Sequence, residues 1–135
     1  MKVLDTYALV GFFKGEEFAP KVNDILRSME DGRIKVSISA LTISELFYIL
    51  SRFKDADFAK TIIRYIKISD IDIIPVSEEV AEKAGEFKFK YSKNLPRGLP
   101  IADAIIAATA WKEKAVVVSS SEHFGKIEEI EVEHI

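Results

Sequence analysis

Short runs of aliphatic and β-branched residues alternate along this chain with longer stretches in which apolar residues recur every third or fourth position. These are the periodicities of strands and amphipathic helices. Lys2-Val3-Leu4 predicts a first strand ending at Asp5, and a helix–loop–helix region follows to Glu30, broken near Gly15. Asp31-Gly32 is a turn pair, and the alternation from Ile34 to Ser39 predicts a second strand. Leu41 to Phe53 reads as a strongly apolar helix, and Phe58, Ile62 and Ile66, four apart, predict another over Ala56–Ile68. Asp72-Ile73-Ile74 is a short strand stopped by Pro75, and Ser77 caps a helix from Glu78 to about Lys90. A basic, turn-rich segment runs to Gly98, and Pro100 opens a helix through Trp111. Ala115–Val118 and Ile130–Ile135 are the last strands.

Strands alternating with helices predict an α/β domain with a mostly parallel sheet, and a chain of 135 residues without linker or repeat fits a single domain over 1–135. Ligands of open parallel sheets bind outside the carboxyl ends of the strands. Asp5 stands where the first strand ends, Thr42 and Glu45 just after the second, and Ser119 to Glu122 after the fourth. Polar side chains far apart in sequence are thus directed to one sheet edge.

Composition narrows the chemistry. The chain has no cysteine, which excludes structural disulfides, zinc–thiolate sites and thiol nucleophiles and suits an intracellular, cytoplasmic protein. No apolar run reaches the ~18 residues of a membrane span, and the start lacks the pattern of a signal peptide, so no membrane association is expected. A net charge of −3 argues against coating nucleic acid by bulk charge, but a carboxylate site that binds a cation is compatible with it. There is no glutamine and there are only two asparagines, while Glu and Lys abound, a usage similar to that of heat-adapted proteins. A thermophilic source is the corresponding expectation.

Four segments carry a family resemblance. Val3-Leu4-Asp5-Thr6 resembles the opening of PIN domains, a strand ending in Asp followed by Ser or Thr. Thr42-Ile43-Ser44-Glu45-Leu46 is similar to their helix bearing a Glu. The stretch from Leu99 to Ala110, with Asp103 among Ala102, Ala104, Ala107 and Ala108, resembles their Asp-plus-small-residue helix and is the most specific match. Val116 to Phe124 resembles the closing strand and loop. The nearest style is that of VapC toxins of toxin–antitoxin pairs. The resemblance implies a three-layer α/β/α sandwich around a five-stranded sheet and a Mg²⁺- or Mn²⁺-dependent endoribonuclease that leaves a 5′-phosphate and a 3′-hydroxyl. It also implies a homodimer and a VapB-type antitoxin that blocks the site. The chain departs from the pattern at Ser121, where the family's last loop carries a fourth Asp; Glu122 is its acidic neighbour.

By this resemblance Asp5, Glu45 and Asp103 are the catalytic, metal-holding acids. Three converging carboxylates suit Mg²⁺, which takes hard oxygen ligands, and their mutual repulsion calls for a cation. Each also has a plainer reading. Asp5 fits a helix N-cap, Thr42-x-x-Glu45 a capping box with Ser39 as the competing cap, and Asp103 a first-turn acid favoured by the helix dipole. Thr6, Ser119, Ser121 and Glu122 are candidates for contact with the ion or its waters, against the ordinary reading of serine as a turn or cap residue. His123 and His134 read as surface or core histidines. Lys83, Lys88, Lys90, Lys93 and Arg97, with Phe87, Phe89 and Tyr91 interleaved, form the only basic cluster. Lys88, Lys90, Lys93 and Arg97 are its candidate RNA contacts, and a solvated helix face is the alternative. The run Leu46–Leu50 is apolar all round, which suits core or a groove for a partner helix, with Tyr7, Phe12 and Phe13 as further candidate lining.

Other families with acidic sites fail on position. A haloacid-dehalogenase-type phosphatase needs a second Asp where Tyr7 stands, a receiver domain needs a phosphoacceptor where Pro75-Val76-Ser77 follows the third strand, and no glycine-rich phosphate loop occurs. The rival of a different class is a PIN-fold module that binds RNA or protein with weakened catalysis, which Ser121 favours.

Overall fold

A computed structural model describes the whole chain, Met1–Ile135. Its elements in order are β1 (Lys2–Leu4), α1 (Thr6–Lys14), α2 (Ala19–Glu30), β2 (Val36–Ser39), α3 (Ala40–Phe53), α4 (Ala56–Ile68), β3 (Asp72–Ile74), α5 (Glu78–Tyr91), α6 (Ile101–Glu113), β4 (Val116–Ser119) and β5 (Glu131–His134). Two 3₁₀ turns, Ser92–Asn94 and Phe124–Lys126, complete it, and the second was not expected from the pattern. The second strand is shorter than expected, with Ile34 outside it and packed on the core from the flank.

The five strands form one sheet in the order β3-β2-β1-β4-β5, and every pairing is parallel. The chain steps from β1 outward through β2 to β3, then returns to the far side of β1 for β4 and β5. The strand order therefore reverses between β1 and β4, where open sheets leave a crevice. Period-two alternation splits the central strands between two layers. Leu4, Ile38 and Val118 join the core under α1–α4, while Val3 and Val117 join the core under α5 and α6.

Local chemistry starts the helices where the crevice needs them. Asp5 caps α1, its carboxylate accepting the Ala8 N–H at 2.8 Å, and Ser39 caps α3 by accepting the Leu41 N–H at 3.2 Å. Asp55 and Ser77 do the same for α4 and α5. Gly15 ends α1 with a φ of 74°, a left-handed conformation that favours glycine. Pro100 precedes the first helical residue of α6. The alanines at 104, 107, 108 and 110 are all buried and let α6 approach the central strands closely.

Candidate functional site

The capping alternatives resolve differently for the three acids. Asp5 is the cap of α1 and also stands at the crevice, where its backbone N–H donates to the Val118 carbonyl at 3.1 Å. Its second carboxylate oxygen accepts the Ser119 hydroxyl at 2.5 Å, across the β1/β4 boundary. Glu45 takes no part in a capping box. Ser39 caps α3, which puts Thr42 in the first turn and Glu45 beyond it. Glu45 Oε1 instead accepts the Thr6 hydroxyl at 2.5 Å, and the buried Thr42 hydroxyl lies 3.2 Å from the Thr6 oxygen. Asp103 sits in the first turn of α6, and its Oδ2 lies 2.7 Å from His123 Nδ1.

Asp5 is almost wholly buried. Burial pushes its pKa up from 3.8 to about 6; the Ser119 and Ala8 hydrogen bonds oppose this, and the charges of Asp103 and Glu45 add to it. Asp5, at the end of β1, thus feels the charges of an acid on α3 and an acid on α6 across the crevice. No three acidic or histidine side chains converge tightly enough to hold an ion directly as they stand. Each carboxylate is met by a neighbouring side chain: Ser119 at Asp5, Thr6 at Glu45 and His123 at Asp103. The donor set is hard oxygen throughout, and Mg²⁺ keeps several waters and uses one or two carboxylates. The residues therefore fit such an ion held largely through water.

The closing loop ties two of the acids together. Ser119 donates to Asp5 and accepts the Ser121 N–H at 2.8 Å; the Ser121 hydroxyl accepts the His123 N–H at 3.1 Å; the His123 ring reaches Asp103. Ser121 is thus engaged in the loop's own turn, and Glu122 is exposed without a hydrogen bond to the cluster. The sequence alone reads His123 as an ordinary surface or core histidine; the structure places it against Asp103. Its one sequence signal was its position four residues past the end of a central strand. His134 is exposed and meets only the Ser120 carbonyl, at 3.2 Å.

The basic segment is less uniform than its sequence suggests. Lys88 donates to the Leu99 carbonyl at 2.6 Å, so its ammonium fastens the segment to α5. Lys90 pairs with Glu129 at 3.5 Å. Burial works to raise the Glu129 pKa, but the Tyr91 hydroxyl and the Lys90 charge outweigh it and hold the carboxyl below its usual range. Phe87 and Tyr91 are core residues, whereas Phe89 is exposed beneath Lys93. Arg97 is exposed and has no ion pair. On the opposite flank, Leu46 and Leu50 are core, and Ile43, Phe47 and Ile63 line a groove between α3 and α4 with Lys60, Arg64 and Lys67. Tyr7, Phe12 and Phe13 are not part of its lining. No helix is long and apolar enough to cross a membrane.

Solved structures share this fold over nearly the whole chain. A chain of VapBC2 from Rickettsia felis, bound to a promoter DNA fragment, is 19% identical with a TM-score of 0.76, covering 99% of this chain and 98% of its own. A chain of VapBC-1 from nontypeable Haemophilus influenzae is 17% identical at 0.76, covering 98% and 96%. VapC20 of Mycobacterium tuberculosis, described as a sarcin-ricin loop cleaving toxin, is 15% identical at 0.68 over 87% of both chains. No curated protein matches in sequence. The family model of the PIN domain matches residues 2–130. With acids from three separate elements turned to one crevice of an all-parallel sheet, this chain belongs to the PIN domain family.

Proposed function

We propose that the protein is a divalent-metal-dependent endoribonuclease, the toxin of a VapBC-type pair. The observation that carries this reading is the electrostatic coupling of Asp5 to Glu45 and Asp103 at the point where the strand order reverses. A bound Mg²⁺ or Mn²⁺ supplies positive charge against the phosphate and lowers the pKa of an attacking water. Asp5, Glu45 and Asp103 are the residues that would hold it, directly or through waters. Ser119 and the Ala8 N–H keep the Asp5 carboxylate in one orientation, Thr6 does so for Glu45, and His123 for Asp103. Orienting groups of this kind act by fixing the donors before substrate arrives. Water adds to the phosphorus in line, the P–O3′ bond breaks, and the products carry a 5′-phosphate and a 3′-hydroxyl.

The partner on this reading is a VapB-type antitoxin, in keeping with the fold shared with chains of VapBC complexes. A homodimer is proposed with it. The test is incubation of labelled single-stranded RNA with the protein and Mg²⁺ or Mn²⁺. Cleavage that disappears with EDTA and in Asp103→Asn supports the nuclease. The engagement of Ser121 within the closing loop favours a second reading, a module that binds RNA or protein without efficient cutting. Metal-replete protein that binds RNA and never cuts it decides for that module.

A further inference from the structure

Beside Asp103 lies a cleft of about 440 Å³, lined by Leu95, Pro96, Arg97, Gly98, Pro100 and His123. We propose that it is a substrate subsite that takes the unpaired base of the nucleotide next to the scissile bond, with Arg97 pairing that nucleotide's phosphate. The proposal rests on the nuclease reading above for what the neighbouring acids do, and four observations support the subsite itself.

The cleft is built rather than incidental. Leu99 is buried, its N–H donates to Ser92 Oγ at 3.0 Å, and its carbonyl accepts Lys88 at 2.6 Å. Gly98 adopts a φ of 72°, and a Cβ there would stand 3.1 Å from the Ser92 hydroxyl, so the turn that forms one wall favours glycine. The lining supplies groups a nucleobase stacks on, an imidazole, two proline rings and an aliphatic side chain. The exposed Arg97, free of any ion pair, is the guanidinium that chemistry would use for a phosphate. Finally, His123 joins cleft to acids, since its Nδ1 meets Asp103 at 2.7 Å while the residue also lines the cleft. A base seated here bears on the ring that orients an acid, and its own backbone is brought to the crevice.

The experiment compares wild type, Arg97→Ala and, as a charge-matched reference on the turn before β2, at the opposite end of the strands from the crevice, Arg33→Ala. Substrates are a fluorescent single-stranded RNA and a series in which one nucleotide at a time is abasic. Arg97→Ala is expected to raise KM about tenfold with kcat within about twofold, and to lose about one phosphate contact from the salt dependence. One abasic position next to the cut is expected to raise KM about tenfold in wild type. In His123→Ala, where the stacking face is gone, it adds nothing further to KM. Arg97→Ala and Arg33→Ala with the same KM and salt slope overturn the subsite, as does an abasic series flat at every position. If wild type cuts no RNA, the nuclease reading fails, and anisotropy with the same RNAs decides the subsite. Weaker binding in Arg97→Ala and at one abasic position upholds it, and equal Kd values throughout overturn it.

Discussion

Two charged regions stand out in the sequence, the scattered acids and the clustered bases, and they behave in opposite ways. The acids lie 40 and 58 residues apart in the chain, yet Asp5, Glu45 and Asp103 gather in one crevice, where burial, with the charges of Asp103 and Glu45 adding to it, raises the Asp5 carboxyl to about 6. The bases adjoin one another in sequence, yet they disperse into separate tasks: Lys88 fastens a turn, Lys90 pairs with Glu129, Lys93 lies over Phe89, and Arg97 is left free. Like charges brought together at the expense of stability point to a task for that charge, whereas charges neutralised at home point to structure.

The strongest way to break this contrast is to remove an acid. Asp103→Asn is expected to lower RNA cleavage on the order of a thousandfold, the upper range for a single group acting on developing charge. Single-turnover assays check this, and a loss of less than threefold removes Asp103 from the chemistry.

Asp5 allows the sharper test, because function and stability should move in opposite directions. Its folded pKa of about 6 exceeds the ordinary 3.8, so between those pH values the folded state retains a proton that the unfolded chain has released. Stability therefore falls as pH rises through that window, by roughly 3 kcal/mol from this group. Asp5→Asn keeps a capping side chain but carries no charge. In metal-free buffer it is expected to be more stable than wild type at pH 8 and to converge with it near pH 4, as measured by urea unfolding at both pH values, while cleavage is lost. An unchanged gap between the two proteins across pH disproves the buried-charge account. Mg²⁺ should raise the wild-type melting temperature at pH 8 more than at pH 4.

A smaller effect is expected from a residue that touches Glu45 without carrying charge. Thr6→Val removes the hydroxyl that donates to Glu45 and is predicted to cut kcat about tenfold, the lower range for outer partners of a metal site. Thr6→Ser should restore it. Equal activity in Thr6→Val and wild type leaves the Glu45 contact without a catalytic role.

The bases already engaged within the fold should answer weakly. Lys90→Met breaks an exposed ion pair and is expected to leave both the melting temperature and the KM for RNA nearly unchanged. A large rise in KM from Lys90→Met alone would return the RNA contact to the helix face and dissolve the distinction drawn between the two regions.

What the chain states locally, it states well. The periodicity of strands and helices, the Asp at the end of β1, the Ser77 cap and the alanine face around Asp103 are all short-range signals, because a helix or strand is defined by neighbours within a turn or two. Resemblance to a family added the grouping of three acids, which no spacing in the sequence reveals. Only the packed structure decided between Ser39 and Thr42 as the cap of α3, turned His123 onto Asp103, engaged Ser121 in its own loop and assigned Lys88 to the Leu99 carbonyl. Each of those outcomes depends on which donor meets which acceptor across the fold. A residue name specifies the hydrogen-bonding capacity of a side chain, but its partner is chosen by elements that are distant in sequence and meet only when the sheet closes its two cores.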